Sequence, residues 1–240
     1  MTGLFDYPFF EYPRGAAFGR VLPKSKIYEH AGASAALKDL FITQVDQIVW
    51  KYKLAPETIN LAATRSVSEI QIFSVSLRKA ELNLDVLRAI DRAIPFPLIF
   101  ELSWSGKRKA VAAFKRPSEA DSSKWVVSEY FESAWVEETA PRQPLPVSLN
   151  LGALYEQMLS ALMPEQAADD EDIQARVARV EAIRAKTREV ERIKARLDRE
   201  KQFNKRVGIN AELRVAKQQL TGLQHNTLAD ADDRQSTASE

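Results

Sequence analysis

At 240 residues, with 45% hydrophobic and 28% charged residues and a net charge of +1, the chain can bury a real core, which excludes a disordered protein and a membrane protein. The absence of cysteine excludes disulfides, thiolate nucleophiles, iron–sulfur clusters and cysteine-based zinc sites. No run of about 18 apolar residues occurs, and residues 4–13 lack the basic start and apolar centre of a signal peptide, so a cytoplasmic location without membrane association is expected.

The small net charge conceals an asymmetry. Residues 1–170 carry 19 basic and 21 acidic side chains, residues 171–221 carry 14 and 8, and residues 222–240 carry 1 and 4. The predicted organisation follows from it: an aromatic N-terminal arm (1–16), an α+β globular domain (17–163), a long basic helical extension (164–223) and a disordered acidic tail (224–240). The predicted fold class is α+β, a mixed and largely antiparallel sheet packed with helices, with the extension added to it.

The arm holds Phe5, Tyr7, Phe9, Phe10 and Tyr12 with Pro8 and Pro13, and has no helical period. So many rings would not stay solvated, so the arm either lies over an apolar groove or binds a partner. Next comes a span rich in Arg20, Lys24, Lys26, Tyr28, Glu29 and His30, where Pro23 breaks any regular element. It reads as a solvated surface loop, or as a site for phosphate or an acidic partner.

Ser34 caps a predicted helix whose apolar positions Leu37, Leu40, Phe41, Val45, Ile48, Val49 and Tyr52 recur three and four apart, and which must end by Ala55 because Pro56 follows. A short strand is predicted at 58–61 and a return strand at 69–77, with alternating faces that are neither purely apolar. Asn83 caps a helix over 84–94 that buries Leu84, Val86, Leu87, Ile90 and Ile94 and leaves Arg88, Asp91 and Arg92 outside. A hairpin follows, 98–104 and 108–115, turning at Ser105-Gly106-Lys107. A strand over 124–137 and a helix over 149–163 complete the domain, and Pro164 closes it.

From about residue 168 to 223 no proline occurs and the composition is that of a long helix. Ile173, Val177 and Val180 fit one heptad register and Val190, Ile193 and Leu197 another, so a discontinuous coiled coil, or two arms packed back to back, fits better than an uninterrupted zipper. Gly208 weakens helix by about 1 kcal/mol relative to alanine, which places the kink or hairpin turn at 207–210.

No P-loop, dinucleotide fingerprint, His-Glu-x-x-His pair, EF-hand loop or Gly-x-Ser-x-Gly elbow is present. One weak catalytic constellation survives. The order of helices and strands has some likeness to the core of restriction-type nucleases, in which Glu57, Glu69 and Gln71 would stand near one another and the two carboxylates would hold Mg²⁺. Gln71 provides no general base, however, and an edge glutamate is more often simply solvated. The basic extension, including Arg188, Arg192, Arg196, Arg199, Lys205 and Arg206, could track a phosphate backbone or dock on a protein. Few aromatics interleave with these cations, and the interspersed acids also suit a solvated coiled-coil face.

The strings Phe18-Gly-Arg-Val-Leu-Pro-Lys-Ser-Lys-Ile-Tyr-Glu-His30, Ile48-Val-Trp-Lys-Tyr-Lys-Leu-Ala-Pro-Glu-Thr-Ile-Asn60, Ala93-Ile-Pro-Phe-Pro-Leu-Ile-Phe100 and Lys115-Arg-Pro-Ser-Glu-Ala-Asp121, with Glu200-Lys-Gln-Phe-Asn204 and Asn210-Ala-Glu-Leu213, resemble a bacterial family of unknown function, numbered 4391 among such domains. Gly208 departs from its pattern. The resemblance implies an association with helicase and restriction-type DNA methyltransferase genes of phage defence, and no assigned catalytic residues. The expectation is therefore a non-enzymatic accessory subunit, without a cofactor, that docks on a helicase or DNA methyltransferase, contacts DNA, or self-associates through the extension. The alternative is a metal-dependent nuclease at Glu57, Glu69 and Gln71.

Overall fold

The computed structural model describes residues 8–121, 124–163, 167 and 171–225, so Phe5, Tyr7 and nearly all of the acidic tail lie outside the described residues. The chain divides into two compact units, Met1–Met163 and Pro164–Glu240.

The first unit is an α+β domain built on a seven-stranded sheet. After β1 (Phe10–Glu11) and β2 (Ala17–Val21) come α1 (Lys24–Ala31), α2 (Ala35–Gln44), β3 (Val45–Leu54), α3 (Pro56–Ile59) and β4 (Ile70–Leu77). Helix α4 (Leu84–Ala93) crosses to β5 (Leu98–Trp104), followed by β6 (Lys107–Pro117), β7 (Trp125–Glu132), β8 (Val136–Glu137), β9 (Gln143–Pro144) and α5 (Leu151–Ser160). The sheet order is β2-β3-β4-β5-β6-β7, with β8 also on β6. Every pair within this sheet is antiparallel except β4 with β5, the pair that the α4 crossover joins.

One face of the sheet carries the main apolar core. Phe73 and Val75 of β4, Leu98, Phe100 and Leu102 of β5, and Val111 and Ala113 of β6 alternate onto it. Ile27 of α1, Phe41 of α2, and Val86, Leu87 and Ile90 of α4 cover them. Trp50, Phe73, Phe100 and Tyr130 form a row of rings across the strands, with centroids 6.1, 6.4 and 6.5 Å apart. Asn83 Oδ1 caps α4 by accepting from Asp85 N at 2.9 Å, as the sequence predicts. The β5–β6 hairpin turns at Ser105 (φ 49°) and Gly106 (φ 74°), the paired left-handed conformation of a two-residue turn.

On the opposite face, Tyr155 of α5 reaches β6. The β6–β7 register shifts between Ala113 and Lys115, and the Tyr155 hydroxyl donates to Ala113 O at 2.6 Å while accepting from Lys115 N at 2.9 Å. Ser128 Oγ accepts from Phe114 N at 2.8 Å, so side chains satisfy the backbone groups that the bulge releases.

Several expectations are corrected. The predicted helix from Ser34 ends at Gln44, and residues 45–54 form β3, because Val45, Ile48, Val49, Trp50 and Tyr52 are β-branched or aromatic and pair with β2 on one side and β4 on the other. The predicted strand at 58–61 is replaced by the turn of α3. Pro56 starts that turn, Thr58 Oγ1 accepts from Ala55 N and donates to Lys53 O, and Asn60 (φ 52°) ends it. The predicted surface loop at 24–30 is helix α1, in which Pro23 stands at the N-cap and breaks nothing, and Gly32 (φ 58°) closes the C-terminus. The strand predicted over 124–137 is divided into β7 and β8.

The second unit contains α6 (Ile173–Arg199) and α7 (Phe203–His225), packed antiparallel. Val190 and Ile193 of α6 meet Ile209, Leu213 and Ala216 of α7, with Leu197 and Leu220 at the margins. Arg196 pairs with Glu212 at 3.2 Å, and Lys186 donates to Gln219 at 2.9 Å. The extension is thus a helical hairpin whose turn lies at residues 200–202, not at 207–210. Gly208 sits inside α7 with open space around it, and its modest helix penalty does not break a helix whose neighbours 209, 213 and 216 are buried. Asp172 caps α6, its Oδ1 accepting from Ala175 N at 2.7 Å.

Candidate functional site

Buried ionisable groups of the domain gather in two places, around Asp91 and around Glu101. Asp91 is expected outside α4 but is 4% exposed. It follows Ile90 on the covered side of the helix and meets Lys115, which is 2% exposed. Lys115 Nζ donates to Asp91 O at 2.5 Å and to Ile94 O, and lies 3.5 Å from Asp91 Oδ1, while the Tyr130 hydroxyl donates to Asp91 Oδ2. Burial pushes the Asp91 carboxyl up against the opposing pull of Lys115, pushes the Lys115 ammonium down, and with the Asp91 charge pushes the Tyr130 phenol up. A cation at the C-terminus of α4 also meets the negative end of the helix dipole. The sequence carries one signal for this cluster: Lys115 alternates onto the same face as Val111 and Ala113.

Glu101 lies in the middle of β5, 5% exposed, and Arg142 grips it through two 2.7 Å hydrogen bonds. The same guanidinium donates to Phe10 O at 3.0 Å. Phe9, fully buried, has Arg108 at 4.4 Å and Arg142 at 5.9 Å from its ring centroid, and Tyr12 packs on Tyr52 at 4.6 Å. Residues 9–12 of the aromatic arm therefore lie in a groove that Glu101 and Arg142 organise, and β1 pairs with β9 beside it. Hydrogen bonds to Glu101 raise the Arg142 guanidinium further, and burial with the Glu101 carboxylate raises the Tyr12 phenol.

The residues considered for a nuclease site do come together, around a lysine. Lys53 Nζ lies 2.7 Å from Glu57 Oε1 and 3.4 Å from Glu69 Oε2, and Gln71 Nε2 donates to Glu69 Oε1. The Lys53 hydrogen bond raises its own ammonium and lowers the Glu57 carboxyl. An ammonium thus stands between the two carboxylates that would have held Mg²⁺, and among the described residues no group of three His, Asp or Glu could hold a metal ion.

The predicted phosphate-binding span is scattered by its helix. Lys24 Nζ donates to Phe41 O at 3.1 Å and Val45 O at 2.5 Å, so it caps the C-terminus of α2 as Lys115 caps that of α4; burial lowers its pKa. Tyr28 packs edge-on against Phe41, Lys26 pairs with Glu29, and Arg20 stacks over Phe18. His30 is exposed in the last turn of α1.

The second unit carries its predicted residues on two packed helices. Residues 173–225 hold 14 Lys and Arg against 6 Asp and Glu. Arg188, Arg192, Arg196, Arg199, Lys205 and Arg206 are all exposed on this hairpin. Toward the turn, Arg206 Nη1 donates to Glu200 O at 3.1 Å, and Glu200 Oε1 accepts from Gln202 N at 2.9 Å, which lowers the Glu200 carboxyl. Phe203 is 77% exposed and Val207 55%. The hairpin therefore buries a narrow apolar seam and turns a basic surface with a few apolar side chains outward.

Residues 10–220 match the model of a protein family described as Domain of unknown function (DUF4391). No curated protein and no solved structure matches the chain. Among the described residues no helix is long and apolar enough to cross a membrane.

Proposed function

The chain belongs to the DUF4391 family, and from that membership and the geometry of its helical hairpin we propose a non-enzymatic accessory subunit. In this reading the α+β domain is scaffold and the helical hairpin beyond Met163 is the part that engages a partner. The partner class is the one that the family resemblance implies, a DNA helicase or DNA methyltransferase of a phage-defence, restriction-like system, with DNA contacted by the same hairpin.

The observation that carries the reading is the hairpin itself. Its two helices are held by a seam of five buried residues, and its outward surface holds the large cationic excess of the chain. A solvated helix gains little from so one-sided a charge, whereas a polyanion or an acidic partner meets it favourably. Four of the domain's acids are already matched, Glu101 by Arg142, Asp91 by Lys115, and Glu57 with Glu69 by Lys53, which suits support more than chemistry.

Co-expression with a helicase or DNA methyltransferase of the same host, followed by size-exclusion chromatography with light scattering, tests this. The full chain is expected to co-elute with one of them, and a chain with Arg192, Arg199 and Lys205 changed to Glu to elute apart.

A further inference from the structure

Between α2 and α4 the α+β domain leaves an open cleft of about 330 Å³, near the small end of the range for binding pockets. Its α4 wall is Asp85, Arg88, Ala89 and Arg92, which share one helix face by their spacing of three and four and span about 10 Å, roughly two helical turns. Ala36, Leu37 and Leu40 of α2 form the opposite wall. Ala89 is buried in the main core and Leu37 and Leu40 are half-buried against it, so the apolar floor of the cleft is an uncovered margin of that core. Arg88 and Arg92 stand exposed on the rim. Arg88 Nη1 lies 3.0 Å from Asp85 Oδ1, whereas Arg92 has no ion pair among the described residues. The cleft therefore joins an apolar floor to a rim of two guanidiniums and one carboxylate.

We propose that this cleft docks an acidic amphipathic helix of a protein partner, whose apolar side chains cover Leu37, Leu40 and Ala89 while a carboxylate beside them meets Arg92. The surface is separate from the helical hairpin, and the proposal does not rest on what the hairpin binds. Length and charge select the occupant. A furrow two turns long between two helices suits the anchors that a helix presents at spacings of three and four. The one carboxylate of the rim is already taken by Arg88, so an approaching acid is favoured over an approaching base. No aromatic ring lines the cleft for a nucleic-acid base to stack on. A membrane interface needs a broad apolar face, and this floor is narrow. An isologous contact with a second copy would set the basic rim against itself.

The test measures, by fluorescence anisotropy, the binding to the full chain of a labelled helical peptide with two leucines one turn apart and glutamates beside them. Companion peptides carry serine for the leucines or lysine for the glutamates. The acidic leucine peptide is expected to bind, and the serine peptide to bind roughly 10- to 100-fold more weakly. Arg92→Glu should weaken the acidic peptide roughly 3- to 10-fold and strengthen the lysine peptide. Ala36→Trp, which fills the cleft from an exposed position, should remove binding while circular dichroism stays that of the parent. The variant with Arg192, Arg199 and Lys205 changed to Glu should bind the peptide as the parent does, because its changes lie on the other unit. The proposal is overturned if the acidic peptide does not bind, if the serine peptide binds equally well, if Ala36→Trp or Arg92→Glu binds as the parent does, or if only the hairpin variant loses binding. A dimer of the parent that Ala36→Trp dissociates would assign the cleft to a second copy and overturn the proposal as well. None of these outcomes depends on the co-elution that tests the hairpin.

Discussion

Lys115 donates to the backbone oxygen of Asp91 at 2.5 Å and stands 3.5 Å from the carboxylate of the same residue, so one buried ammonium serves both as a helix cap and as a counter-ion. It ties the end of α4 to β6, the two elements on either side of β5, and fixes how the crossover helix lies on the sheet.

Lys115→Met removes the cap and leaves Asp91 buried without its cation. The expected loss is about 3–5 kcal/mol by urea unfolding. The pH dependence has a definite sign. Asp91 is already raised by burial and rises further without Lys115, and a raised carboxyl contributes stability below its unfolded pKa that is lost as pH rises through the folded value. The deficit of the variant should therefore be larger at pH 7.5 than near pH 4.5. A deficit independent of pH would show that Asp91 does not face Lys115.

Arg142→Met leaves Glu101 buried with Lys51 at 3.8 Å, the Tyr12 hydroxyl and the Arg108 charge as its remaining partners. Because Arg142 is itself about a quarter exposed, the loss is expected at about 2–3 kcal/mol, below that of a fully buried pair. Residues 9–12 should at the same time become the first site of limited proteolysis. A variant as stable and as resistant as the parent would mean that the arm is held by its rings alone.

Tyr155→Phe deletes one hydroxyl that serves two backbone groups at the β6 bulge. The expected loss is about 1–3 kcal/mol with the fold retained, read by thermal unfolding. A neutral result would require water to replace the hydroxyl.

Gly208→Ala should stabilise the hairpin by about 0.5–1 kcal/mol, since nothing lies within 4 Å of the added methyl and the backbone there is helical. A rise in helical ellipticity and melting temperature is expected. A fall would put the turn back at Gly208.

The legible parts of the fold were those in which local chemistry and tertiary packing agree. Asn83 with a clean apolar stripe gave α4, Ser105-Gly106 between two apolar runs gave the hairpin, and Leu151, Leu154, Tyr155 and Met158 gave α5. Residues 45–54 misled because Val45, Ile48, Val49 and Tyr52 satisfy a three-to-four spacing by chance, and only strand pairing on both sides decides for β3. Lys24 looked free because its carbonyl partners, Phe41 and Val45, are 17 and 21 residues away. For the helical hairpin, the basic residues were readable as a group. The turn was not, because Glu200-Lys-Gln202 carries no glycine or proline and is set by the seam that Ile193 and Ile209 share.

The hairpin beyond Met163, and not the α+β domain, is expected to engage a DNA-acting partner. The mass of the complex formed with a host helicase or DNA methyltransferase, by size-exclusion chromatography with light scattering, measures this. The full chain should elute at the summed mass, and the variant with Arg192, Arg199 and Lys205 changed to Glu, with the same circular dichroism, should elute alone. Co-elution of that variant at the same summed mass would mean that the basic face of the hairpin does not engage the partner.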